Sequence, residues 1–214
     1  EELVRRIAAD AGEFVVATAG PELEAVLAGT GSGAAAWARQ HEATILNVDI
    51  GGGTTNMCLF AGDSVVETRC LDVGGRLLQF DTSGEVTHLS APAVQLLEEA
   101  GLSMDVGSRP TEGELRELAA LMAEAVFETI DGTERRSITK ELTIGDGEYA
   151  SRSLDGICVS GGVGQLIVSG TEDDLFAYQD FGTFLAAAIR DRLDSYPVAY
   201  RSPNETIRAT VIGA

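Results

Sequence analysis

Asn47-Val48-Asp49-Ile50-Gly51-Gly52-Gly53-Thr54-Thr55-Asn56 decides how the rest of the chain is read. An apolar stretch runs into three glycines with one carboxylate at the bend, and a second apolar stretch follows. Glycine reaches positive φ without steric cost, so such a turn can point several main-chain N–H groups into one anion-binding concavity, with Thr54 and Thr55 adding hydroxyl donors. Asp49 is expected to face the same pocket, where a carboxylate can hold Mg²⁺ through water, since that ion sheds its hydration shell reluctantly. Three glycines alone fit an ordinary hairpin turn equally well. The flanks shift that balance: 44–50 and 54–60 read as strands, Gly62-Asp63-Ser64 turns the chain, and 65–71 reads as a third strand ending in Asp72-Val73-Gly74-Gly75.

The chain has 214 residues, enough for one sizeable domain or a two-layer domain carrying a subdomain. Its 34 acidic residues against 15 basic ones give a formal charge of −19, which repels nucleic acid backbones and anionic membranes. Most of that charge reads as a solvated surface. A phosphate ligand must then be held by backbone dipoles and a cation, which strengthens the expectation of Mg²⁺. Lys140 is the only lysine and no glycine precedes it, so a Walker-type loop is excluded. Cys58, Cys70 and Cys158 are odd in number, lie on predicted strands and show no paired spacing, as expected of reduced core residues in a cytosolic protein. His41 and His88 are isolated and read as surface or capping residues. No run reaches the roughly 18 apolar residues of a membrane span, and no signal peptide pattern is visible. The opening at Glu1 inside a helix-like pattern and the stop at Ala214 after a strand-like run lead us to expect a fragment of a longer protein.

Along the chain, a helix is expected over 1–12 and a strand over 14–17, then a helix over 22–27 started by Gly20-Pro21 and broken by Gly29, Gly31 and Gly33. Residues 34–40 form a small-residue helix. After the three strands, Asp81-Thr82-Ser83-Gly84 turns into 85–89, and 92–100 reads as a helix closed by Gly101. Thr111 and Glu114 have capping-box spacing before the helical repeat Leu115, Leu118, Ala119, Met122 and Val126, which predicts a helix over 111–130. Gly145-Asp146-Gly147 predicts a hairpin within 139–150. Residues 180–194 read as a helix whose apolar face is core, and 206–212 as a closing strand.

A second glycine site follows the apolar strand 154–159: Ser160-Gly161-Gly162-Val163-Gly164, with a helix beginning near Gln165. A glycine pair at the carboxyl end of a strand lets a flat ring or a ribose lie against bare backbone, a common ligand placement in layered α/β proteins. Gly51, Gly53 and Asn56 mimic a Rossmann spacing poorly, because a strand follows where a helix should.

These motifs resemble the actin-like ATPase superfamily of actin, sugar kinases and heat-shock chaperone ATPases. Val48 to Thr55 resembles its second phosphate motif and Ile157 to Gly164 its adenosine motif. Longer stretches, 14–24, 70–78 and 206–214, resemble the EutA family of ethanolamine ammonia-lyase reactivating factors, and the likeness covers nearly the whole chain. The resemblance implies an α/β, actin-like ATPase (ribonuclease H-like) fold, mainly the second lobe: a mixed five-stranded sheet flanked by helices with a small α+β subdomain. Residues 1–43 would be the tail of the first lobe and an interlobe helix at 34–40, 44–80 and 151–214 the nucleotide-binding core, and 81–150 an inserted subdomain.

The resemblance also implies an ATP-dependent, chaperone-like factor that drives damaged cobalamin out of the adenosylcobalamin enzyme ethanolamine ammonia-lyase. ATP and Mg²⁺ would be its cofactors, the lyase its partner, and the cytoplasm its location, with association to a bacterial microcompartment. Gly51, Gly52, Gly53, Thr54 and Thr55 would hold phosphates. Asp49 would be the catalytic carboxylate and hold the Mg²⁺ water shell, while Gly161, Gly162, Val163 and Gly164 would hold adenosine. The first lobe's phosphate hairpin is not in these residues, so feeble ATPase activity is expected of them alone. A non-hydrolysing scaffold of the same pathway and a small-molecule kinase of the same superfamily are the alternatives.

Overall fold

The computed structural model describes residues 20–132, 136–145, 151–170 and 175–214. The helix and strand expected before residue 18 lie outside them. Helices α1 (Pro21–Gly31) and α2 (Ala34–His41) precede strands β1 (Thr44–Ile50), β2 (Thr55–Ala61) and β3 (Ser64–Leu71). Strands β4 (Leu78–Phe80) and β5 (Val86–Leu89) form a separate hairpin, followed by α3 (Ala91–Ala100), α4 (Glu112–Asp131), α5 (Ser137–Glu141) and β6 (Thr143–Ile144). Then come β7 (Gly156–Ser160), α6 (Gly161–Ser169), α7 (Gly182–Asp194), β8 (Tyr200–Arg201) and α8 (Ala209–Gly213).

The main sheet runs β6-β3-β2-β1-β7-β8; the pairs β6–β3, β3–β2 and β2–β1 are antiparallel, and β7 is parallel to both β1 and β8. It is therefore the mixed sheet of an α/β protein, with six strands where five were expected; both edge strands have only two residues. Strand β1 is covered on both sides: one face is wholly apolar, and the other starts with Ile45 and then carries Asn47 and Asp49. One face places Leu46, Val48 and Ile50 against Leu96, Leu118, Met122, Ile167 and Leu185 in the larger core. The other meets α1 and α2 through Ala25, Ala34, Ala38, Ile45, Cys58, Phe60 and Cys158. All three cysteines are buried and unpaired in the core, where burial pushes their thiols up to about 12 at Cys58 and Cys70 and about 11 at Cys158.

The capping box is present as expected. Glu114 N–H donates to Thr111 Oγ1 at 3.3 Å and Thr111 N–H to Glu114 Oε2 at 2.7 Å, starting the longest described helix. At its other end the buried Arg69 guanidinium donates to Ile130 O at 2.9 Å, to Thr129 O, and to Glu67 Oε1 at 2.7 Å. A cation there meets the negative end of the helix and its unsatisfied carbonyls.

Three local readings are corrected. Helix α1 continues through Gly29 and Gly31 and stops only before Gly33, whose φ is +90°. Those glycines serve close approach instead of chain breaking: a Cβ on Gly31 would lie 1.8 Å from Ala209 O, and one on Gly213 would lie 1.9 Å from Leu27 O, so α1 and α8 touch backbone to backbone. The closing strand over 206–212 is a turn leading into α8, because a short apolar run cannot declare its period and packing against α1 decides it. In the hairpin expected over 139–150, residues 137–141 are helical and only Thr143–Ile144 pair, with β3; residues 146–150 lie outside those described.

Candidate functional site

Strand alternation sends Ile45, Asn47 and Asp49 of β1 to the α1 face, beside Asn56 on β2 and Ser160 on β7; the register pairs Asp49 with both. These side chains form one buried polar chain. Ser32 Oγ donates to Asn47 Oδ1 at 2.7 Å, Asn47 Nδ2 to Ser160 Oγ at 3.1 Å, and Ser160 Oγ to Asp49 Oδ1 at 2.6 Å. Burial pushes the Asp49 carboxyl up to about 6; the Ser160 hydrogen bond opposes the rise and the Glu24 charge adds to it. Asn56 Nδ2 donates to Glu24 Oε2 at 3.2 Å, while Asn56 Oδ1 is buried with no hydrogen-bond partner. An orphaned acceptor beside two carboxylates is a hard-oxygen set that suits a hydrated Mg²⁺. Among the described residues no three His, Cys, Asp or Glu side chains converge on a metal position, so a cation here would rely on these few oxygens and its own water.

The glycine turn beyond Asp49 is held by its carbonyls. Gly51 N–H donates to Thr54 O at 2.9 Å, Gly75 N–H to Gly51 O at 3.0 Å, and Arg76 N–H to Gly52 O at 2.6 Å. The second turn is pressed against the same strand end: Gly161 has φ +86°, and a Cβ there would lie 2.4 Å from Ile50 O. Only glycine fits. Helix α6 starts at that point, so its N-terminal N–H groups add a positive field.

Both turns line one cavity of about 420 Å³ beyond the carboxyl ends of β1 and β7, through Gly51, Gly52, Gly162 and Val163. A larger cleft of about 490 Å³ between α4 and α7 contains neither turn and is lined by alanines with Arg116, Glu124, Asp191 and Arg192 at its walls. The glycine-lined cavity is the candidate site.

Not every expected residue reaches it. Asp49 does not line it, since alternation turns the carboxylate toward α1. Thr55 is fully buried and its hydroxyl donates to Val73 O at 2.7 Å, which engages the hydroxyl inside the fold. Gly53 is exposed at the turn, Thr54 is half-buried, and Gly161 and Gly164 are buried behind the cavity wall. Sequence reading missed Gly75, Arg76, Asp180 and Gly182, which do line it. A basic residue ending Val73-Gly74-Gly75-Arg76 in so acidic a chain was the available signal for Arg76. Glu24 and the orphaned Asn56 oxygen had none. Among the described residues no helix is long and apolar enough to cross a membrane.

The family model described as "Ethanolamine utilisation protein EutA" matches residues 1–214. The chain is 39% identical over 204 residues to a protein of Escherichia coli (strain K12) named ethanolamine ammonia-lyase reactivase EutA, covering 95% of this chain and 43% of that one. Identity to the protein of the same name from Salmonella typhimurium (strain LT2) is 37% over 203 residues, with the same coverage. The chain thus spans 43% of the length of the curated relatives it matches. A solved Aquifex aeolicus member of the Ppx/GppA protein family overlaps 90% of this chain and 60% of that one, at 14% identity and a TM-score of 0.44.

Proposed function

This chain belongs to the ethanolamine utilisation protein EutA family, and from that premise we propose that it is the nucleotide-binding part of an ATP-dependent reactivating factor for ethanolamine ammonia-lyase. The observation that carries this reading is the pairing of Asp49 with Ser160, which brings two glycine turns to one cavity at the ends of parallel strands. Such a place suits a nucleotide. Gly52, Gly53 and Thr54 present backbone and hydroxyl donors to phosphates beside Gly51, whose own N–H holds the turn through Thr54 O; Gly162 and Val163, with Gly161 and Gly164 shaping the helix start, form the platform for adenosine. The division into a core of 44–80 and 151–214 with 81–150 inserted belongs to the same proposal, as does an actin-like closure of two lobes.

Asp49 lies on the α1 face, where Glu24 and Asn56 add oxygens. Mg²⁺ held there with ATP would neutralise charge that develops on the phosphates. Near neutral pH Asp49 is mostly ionised, so its carboxylate can orient a water, while Ser160 fixes the direction of its Oδ1 lone pair. Nucleotide turnover would drive release of damaged cobalamin from the lyase.

The test is reactivation of lyase inhibited by an inactive cobalamin, using full-length protein, Mg²⁺ and ATP. Activity should return only with ATP. Return without ATP, or none with it, removes the ATPase reading and favours a non-hydrolysing partner protein.

A further inference from the structure

Asp180 and Arg76 face each other in the candidate cavity, and the proposed nucleotide chemistry does not yet use either. They come from separate loops that are tied together: Phe181 N–H donates to Gly75 O at 2.8 Å, and Phe80 N–H donates to Gln179 O at 2.9 Å. The spacing of the two loops is therefore set by backbone, and the exposed Arg76 side chain is the flexible member of the pair. The glycines beside them are closely packed and leave no room for side chains. A Cβ on Gly75 would lie 2.9 Å from Val163 Cγ2, and one on Gly182 would lie 2.9 Å from Asp180 Oδ1.

The two oxygens of Asp180 differ. Oδ1 accepts from Gly182 N–H at 2.9 Å, which fixes the rotamer. Oδ2 stands 3.6 Å from Arg76 Nε, beyond a good hydrogen bond, although the carboxylate side chain is only 17% exposed. Arg76 is 72% exposed and, among the described residues, is the only basic side chain lining this cavity. A half-buried carboxylate with one oxygen short of a close donor is matched by a neutral group that carries hydroxyl protons. Vicinal hydroxyls of a ribose are such a group, and a carboxylate reading a ribose hydroxyl is a known solution in nucleotide sites. The remaining walls agree: Val163, Leu166 and Ile207 offer an apolar surface for a base, and Gly51 and Gly52 lie at the phosphate end.

We infer that Asp180 is the specificity-determining residue that reads the ribose 2′-hydroxyl of the bound nucleotide, with Arg76 as its positioning partner. This rests on the nucleotide reading above. Binding of the ribose supplies Oδ2 with a closer donor than Arg76 Nε, and Arg76 opposes the rise that burial imposes on the Asp180 carboxyl while meeting the anionic end of the ligand.

The experiment is calorimetry of full-length protein in Mg²⁺ with ATP and with 2′-deoxy-ATP. Wild type should bind ATP at least about tenfold more tightly, the size of one hydrogen bond to a charged group. Asp180→Asn, which can still accept from Gly182 N–H, should reduce that ratio to about twofold by weakening ATP alone, whereas Arg76→Gln should weaken both nucleotides alike and keep most of the ratio. Equal wild-type affinity for the two nucleotides overturns the ribose assignment and leaves nucleotide binding intact. Binding of neither overturns both readings. If Asp180→Asn weakens both nucleotides equally, the residue merely anchors Arg76 and the assignment fails. Circular dichroism checks the fold; should Asp180→Asn not fold, the wild-type ratio and Asp180→Glu, expected to narrow the ratio by moving the carboxylate, decide the matter.

Discussion

Ser160 donates its hydroxyl to Asp49 at 2.6 Å across neighbouring parallel strands, although the two residues stand 111 positions apart in the chain. That contact joins the two glycine turns into one site. It also makes Asp49 a buried acid whose proton is linked to folding.

Its carboxyl is raised from 3.8 to about 6, so between those values the folded protein binds a proton that the unfolded chain has lost. Stability therefore falls as pH rises through this window, by an amount on the order of 3 kcal/mol for a shift of that size. Asp49→Asn keeps an acceptor for Ser160 and has no such proton. Urea melts at pH 4 and pH 7 should show the variant gaining on wild type as pH rises. A constant difference would mean that Asp49 titrates normally.

Thr55→Val tests whether that hydroxyl serves the fold or the ligand. Removing it leaves the buried Val73 carbonyl without its 2.7 Å donor, which costs about 1–2 kcal/mol. Nucleotide affinity should not change once the protein is folded. A loss of affinity without a loss of stability would restore Thr55 to the phosphate site.

Gly161→Ala and Gly52→Ala should separate shape from contact. At Gly161 both the φ of +86° and the 2.4 Å approach to Ile50 O forbid a side chain, so about 2 kcal/mol or more of stability is lost. At Gly52 the new Cβ meets the Arg76 side chain at 3.0 Å, a flexible neighbour, so stability should change by less than about 1 kcal/mol. Nucleotide affinity should fall in the second variant, because the methyl group enters the cavity. Thermal melts and calorimetry report the two effects independently.

Arg69→Ala removes the buried guanidinium that holds the Thr129 and Ile130 carbonyls and the Glu67 carboxylate. Breaking such a buried set costs about 3–5 kcal/mol. Chemical denaturation should show this loss with no change in the slope of the unfolding transition. A loss below about 1 kcal/mol would show that water replaces the arginine.

Local chemistry made much of the molecule legible from its residues. The strand, glycine turn and strand from Thr44 to Ala61 follow from apolar runs and φ freedom, and the helix from Glu112 follows from a reciprocal cap whose partners sit three residues apart. Both signals are complete within a few residues, so no tertiary context is needed to read them. The conformation of 206–212, the inward bond of Thr55, the turning of Asp49 toward α1, and the presence of Arg76 and Asp180 at the cavity were decided only in three dimensions. Each depends on which distant segment arrives alongside, α1 against α8 or β7 against β1, and no local pattern encodes that arrival.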